Sequence, residues 1–99
     1  MAYESKLHSK DLDFLFEAVL KLETMEDCYR FFEDLSTIKE LKDMGQRFRV
    51  AMMLRDKIPY HKIVEETTAS TATISRVNKS LLYGADGYRR VLERLIQDK

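Results

Sequence analysis

The chain is poor in the residues that cross-link, kink or loosen a backbone: among 99 residues it has one cysteine, one proline and three glycines. The lone Cys28 can form no internal disulfide and has no companion thiols for a zinc site, so its expected role is a small buried apolar group. Scarcity of glycine and proline, with 44% apolar and 34% charged residues, suits a helical protein with few loops and argues against disorder. No apolar run approaches the roughly 20 residues that a membrane span needs. The opening MAYESKLHSKD lacks the apolar core of a secretory signal, and a cytoplasmic protein without membrane partners is expected. A glycine-rich phosphate loop is also missing. The two histidines, His8 and His61, fall in different segments, and neither belongs to a cluster with ligand spacing. No metal, cofactor or enzymatic activity is therefore expected.

Net charge is zero, which excludes a generic polycation, but the charges are unevenly spread. Residues 1–35 hold four basic and nine acidic side chains, a net of −5, while residues 36–56 carry +2. Residues 57–90 hold six basic and three acidic side chains, a net of +3, and residues 91–99 balance. Any polyanionic partner is thus expected on the later part of the chain.

Helix signals follow one another closely. Ser9 reads as a cap before Leu12, Leu15, Phe16, Val19 and Leu22. Thr24 with Asp27 resembles a capping box and opens a helix with Cys28, Phe31, Phe32 and Leu35 on its apolar side. Thr37 with Glu40 repeats the pattern and launches the longest helix, whose stripe is read as Ile38, Leu41, Met44, Phe48, Ala51, Met52 and Leu54. Pro59 marks the first turn of a short helix with Ile63, Val64 and Thr67 as inward candidates. Thr68-Ala69-Ser70 is the break, and Ser70 caps a second short helix whose Ile74, Val77 and Leu81 recur at helical spacing. Gly84 is placed to end that helix, and Asp86 to cap a last one carrying Tyr88, Val91, Leu92, Leu95 and Ile96.

The expectation is an all-α domain of six helices within one 99-residue unit. Residues 1–57 would supply dimerisation helices, 58–83 a helix-turn-helix, and 84–99 a C-terminal helix. Phe14, Phe16, Phe31, Phe32 and Phe48 exceed what so small a monomer can readily enclose, which points to a homodimer joined through the N-terminal helices.

Tyr60 to Tyr83 has the layout of a DNA reader. The outward face of its second helix presents Thr71, Ala72, Thr73, Ser75, Arg76 and Lys79, small side chains and cations that let a helix sink into a major groove. Two features weaken the local pattern: the turn has Thr68 where glycine would adopt a left-handed conformation cheaply, and Thr67 is a poor core residue.

The stretch LSTIKELKDMGQRFRVAMMLRDKIPYHKIVEETTASTATISRVNKSLLYG resembles the tryptophan repressor superfamily, specifically its YerC/YecD-type branch. The resemblance rests on Leu35-Ser36-Thr37, on Gln46-Arg47-Phe48, on Tyr60-His61-Lys62-Ile63 and above all on the run from Ala69 to Val77. The segment DLDFLFEAVLKLETMEDCYRFFEDL is similar to that branch as well. Such a resemblance implies an intertwined, all-helical homodimer that binds double-stranded operator DNA and regulates transcription, by repression if it follows the namesake. Positions matching the family's DNA contacts are Tyr60, His61 and Lys62 on the first helix and Thr71, Ala72, Thr73 and Ser75 on the second; Ser70, Arg76 and Lys79 are further DNA-binding candidates beside them.

In the family's namesake an amino-acid corepressor lies between reader and dimer core, flanked by two arginines. Arg47 and Arg76 match those arginines, and Thr37 and Thr73 match other pocket positions, which would allow a small-molecule effector. Val77 stands where the repressor has glycine, and Asp34 and Ser36 replace an apolar shelf, so tryptophan is not the expected ligand. The favoured reading is that Arg47 pairs with a carboxylate across the dimer, Arg76 touches phosphate, and no effector binds. The rival from another class is a helical dimeric adaptor that docks on a partner protein and binds no DNA.

Overall fold

The structure is a computed structural model that describes residues 3–98. Six helices follow in order: α1 (Lys10–Val19), α2 (Met25–Leu35), α3 (Ile38–Arg55), α4 (Tyr60–Thr67), α5 (Thr71–Tyr83) and α6 (Gly87–Gln97). There is no strand among the described residues. Packing divides the chain into two units, Met1–Thr37 and Ile38–Lys99.

In the first unit, local chemistry sets the helix starts. The Ser9 side chain accepts from the Leu12 amide at 3.1 Å and begins α1. Thr24 accepts from the Asp27 amide at 3.0 Å, while Asp27 in turn accepts from Glu23 rather than from the cap residue itself, one position earlier than the usual reciprocal box. Helix α1 stops at Val19, so Leu22 lies in the connection and not on the helix. Neither helix has a fully buried side chain. Leu12, Leu15, Cys28, Phe31 and Phe32 are half-buried, whereas Phe14 is 76% exposed and Leu20 82%. Cys28 is therefore not the buried apolar group expected of it.

The second unit is built around α3, against which α4, α5 and α6 all pack. Its core is Val50, Ala51 and Met53 from α3, Ile63 from α4, Ala69 from the turn, Ile74 and Val77 from α5 and Leu92 from α6. Phe48, Leu54, Ile58, Val64 and Tyr88 pack around it. The stripe on α3 differs from the expected one. Val50 and Met53 are enclosed, Met52 points outward, and Ile38 is 77% exposed, because the three later helices surround only the C-terminal half of α3. On α6 only Leu92 is buried, and Val91, Leu95 and Ile96 remain exposed.

Each junction in this unit passes through one residue with positive φ, and none of the three is glycine: Lys57 (64°), Thr68 (59°) and Asp86 (67°). At the end of α3 the Ile58 amide donates to Met53 O and the Lys57 amide to Leu54 O, both at 3.0 Å. That is the paired hydrogen bonding of a Schellman cap, with Ile58 closing onto the core. Pro59 then sits one position before α4, at its N-cap, rather than inside the first turn. Gly84 does end α5, but in extended backbone (φ −86°). Glycine is required there because a Cβ would run into the Ser80 carbonyl oxygen. Asp86 occupies the N-cap position of α6 without capping it, since a side chain aims at the first amides from β-region backbone and this residue is left-handed.

The turn between α4 and α5 shows why Thr67 is tolerated inside. Only 9% exposed, it donates its hydroxyl to Ile63 O at 2.7 Å and accepts from the Ala69 amide at 3.1 Å, so its polar group is satisfied within the turn. Two outcomes follow from these contacts. Thr67→Val should leave the Ala69 amide without an acceptor and lower unfolding stability by about 1–3 kcal/mol in urea denaturation. Gly84→Ala should cost roughly 1–3 kcal/mol by the same measurement, through the collision with Ser80.

Candidate nucleic-acid interface

Helix α5 has two chemically distinct sides. Ile74, Val77 and Leu81 are buried, and Thr71, Ala72, Ser75, Arg76 and Lys79 are exposed, as the helical spacing predicts. Thr73 is half-buried between the two sides. On α4, Tyr60, His61 and Lys62 are exposed while Ile63 faces the core. The short residues at the start of α5 keep its exposed side narrow, and the second helix of the pair can therefore approach a surface closely.

The start of α5 is fixed by Ser70. Its hydroxyl oxygen accepts from the Thr73 amide at 3.1 Å, and its proton goes to Thr73 Oγ1 at 3.1 Å. Ser70 is thus engaged in capping, which leaves Thr71, Ala72 and Ser75 as the unengaged short side chains near the helix start. Neither α4 nor α5 carries an acidic residue in its first turn, in contrast to α1, α2 and α3. The partial positive charge of both helix N-termini is therefore left unneutralised by nearby carboxylates. Among the described residues Arg76 and Lys79 have no ion-pair partner, and both are exposed. Arg89 and Arg90 are exposed near the start of α6.

The four residues matched to an effector pocket divide between the two units. Thr37 belongs to the first unit, and Arg47, Thr73 and Arg76 to the second. Arg47 is exposed on α3 and Arg76 is exposed on α5, two helices that pack together. Val77, next to Arg76, is only 2% exposed and forms part of the core.

Two residues of α3 were not singled out as individual contributors by the sequence. Gln46 Nε2 donates to Thr67 O at 3.0 Å, and Arg49 Nη1 donates to Glu66 O at 3.3 Å, with Nη2 3.8 Å from the Glu66 carboxylate. They satisfy carbonyls at the C-terminal end of α4 that no helical amide can reach. No sequence signal set these two residues apart, because α3 also carries Lys39, Glu40, Lys42, Asp43, Arg47 and Arg55.

Comparison with known proteins agrees with this architecture. The family model for the Trp repressor protein matches residues 10–96. A Bacillus subtilis (strain 168) protein, Uncharacterized protein YerC, is 54% identical over 90 residues, spanning 91% of this chain and 86% of its own. The crystal structure of a TrpR-like protein from Eubacterium eligens ATCC 27750 superposes with a TM-score of 0.89 at 53% identity, over 93% of this chain and 95% of that one. A Staphylococcus aureus structure, described as that of a candidate Trp repressor, gives 0.87 at 48% identity, over 91% and 90% of the two chains. The chain, all-helical and matched over most of its length, belongs to the Trp repressor family.

Proposed function

We propose that the protein is a sequence-specific double-stranded DNA-binding transcriptional regulator that acts as a homodimer and reads the major groove with α5. One observation carries this reading: the start of α5 offers a narrow, exposed run of Thr71, Ala72 and Ser75, flanked by Arg76 and Lys79 without ion-pair partners among the described residues. Hydroxyls and methyls of that size suit close approach to base edges, thymine methyls and bridging waters, and the cations suit phosphate. Tyr60, His61 and Lys62 lie exposed at the start of α4, where they would follow the backbone of the duplex.

The helices of residues 1–37 support a second copy of the chain as partner, for they have no fully buried side chain and leave Phe14, Phe16 and Tyr29 exposed. In functional terms residues 1–57 provide dimerisation, 58–83 the reader and 84–99 the closing helix. Helix α3 serves both of the first two, since its C-terminal half is also the reader's core. Two readers related by a two-fold axis would double the number of phosphate contacts available to a modestly basic module. No described helix is long and apolar enough to cross a membrane, and the protein is proposed to work on cytoplasmic DNA.

Control by tryptophan is not proposed. The buried Val77 side chain occupies the position at which a flat ring would need space. Arg76 is assigned to phosphate, Arg47 to a carboxylate of the second subunit, and Thr37 to no ligand. An enzymatic role is not proposed either: His8 lies 2.8 Å from Asp13 at the start of α1, and His61 is in the other unit.

Purified protein should enrich a defined set of duplexes from a random library. On an enriched duplex, Arg76→Ala should weaken binding by about tenfold or more and reduce the salt slope by about one phosphate, with helix content and dimer mass unchanged. A protein adaptor would enrich nothing and show no salt-dependent duplex affinity. Phe14→Asp combined with Phe16→Asp should halve the mass in sedimentation equilibrium and remove high-affinity duplex binding with it.

A further inference from the structure

Helix α5 is aimed from α3. The turn that launches α5 contains two threonines and an alanine but no glycine, and Thr68 is held at φ 59°, a conformation that a Cβ disfavours. Such a backbone persists only when its surroundings over-determine it. Four hydrogen bonds do so here. Thr67 Oγ1 bridges Ile63 O and the Ala69 amide, and Thr68 Oγ1 donates to Thr67 O at 2.6 Å, all within the turn. The fourth comes from elsewhere: Gln46 Nε2 reaches across from α3 to the same Thr67 carbonyl at 3.0 Å. One turn further along α3, Arg49 holds the preceding carbonyl, that of Glu66. Residues 46 and 49 share a face of α3, and Val50, beside them, is fully buried in the core.

We propose that Gln46 is a specificity-determining positioning residue: its hydrogen bond to the Thr67 carbonyl locks the α4–α5 turn to α3 and so fixes the angle at which Thr71 to Ser75 meet the bases. The inference rests on the DNA-reading function proposed above. Gln46 is itself half-buried, uncharged and committed to that carbonyl, so it acts through the turn and not by touching DNA. Base readout depends on angles and distances of hydrogen bonds, whereas attraction to phosphate depends mainly on charge. Releasing the tie should therefore lower discrimination while sparing the non-specific component. Because Ile74, Val77 and Leu81 still bury α5, the helix itself stays folded without the tie.

The test uses the full chain and a duplex enriched from a random library by the unaltered protein, with a scrambled duplex of the same length as reference. Gln46→Met keeps the side-chain length and removes the donor. Its affinity for the enriched duplex is expected to fall about five- to tenfold while affinity for the scrambled duplex and the salt slope on it stay within twofold. Arg49→Met is expected to lower the same ratio by a smaller factor, and it decides the matter if Gln46→Met does not keep its helix content. An unchanged ratio in a folded variant, or an equal loss on both duplexes, overturns the positioning role and leaves DNA reading intact. Failure of the unaltered protein to enrich any duplex overturns both.

Discussion

The C-terminal half of α3 is the surface to which the rest of the second unit is fastened. Val50, Ala51 and Met53 are enclosed by three helices that have little other means of burying apolar area. Helix α4 contributes Ile63, α5 contributes Ile74 and Val77, and α6 contributes Leu92 alone. A helix as short as α4, eight residues, is not stable by itself in water. Its existence, and with it the geometry of the turn and of α5, is a consequence of packing on α3. The polar ties from Gln46 and Arg49 act on the same helix and add direction to what burial alone would leave approximate.

Much of this was legible because it is local. The caps at Ser9, Thr24 and Ser70 follow from side chains that satisfy amides three residues on, and they occur in the structure as expected. The two sides of α5 follow from the helical spacing of Ile74, Val77 and Leu81. What could not be read depends on neighbours remote in sequence. Whether Met52 or Met53 faces inward is decided by which helices surround α3, and the period alone admits both. Thr67 looks unsuitable for a core until its hydroxyl is seen to have two backbone partners. Asp86 has the composition of a cap but not the backbone conformation of one. The family was recognisable from motif residues that the comparisons match across residues 10–96.

The uneven charge distribution has a simple physical use. Residues 1–35, with a net of −5, would repel a duplex, and residues 57–90, with +3, would attract it. The chain's zero net charge thus conceals an acidic first unit and a basic stretch in the second. With three exposed cations, Lys62, Arg76 and Lys79, residues 58–83 would attract a polyanion only modestly, and selectivity under the proposed function would rest on shape and short-range contact.

No glycine occupies any of the three left-handed positions at the corners of the second unit, which fall instead on lysine, threonine and aspartate. Each such corner holds on the order of 1 kcal/mol of backbone strain that glycine would not. The elbows at Lys57 and Thr68 are held in that conformation by local hydrogen bonds as well as by the docking of the helices. A glycine at any of the three would relieve that strain but widen the conformations open to the unfolded chain, so the helix directions are set at corners where the side chain itself narrows the backbone's choices.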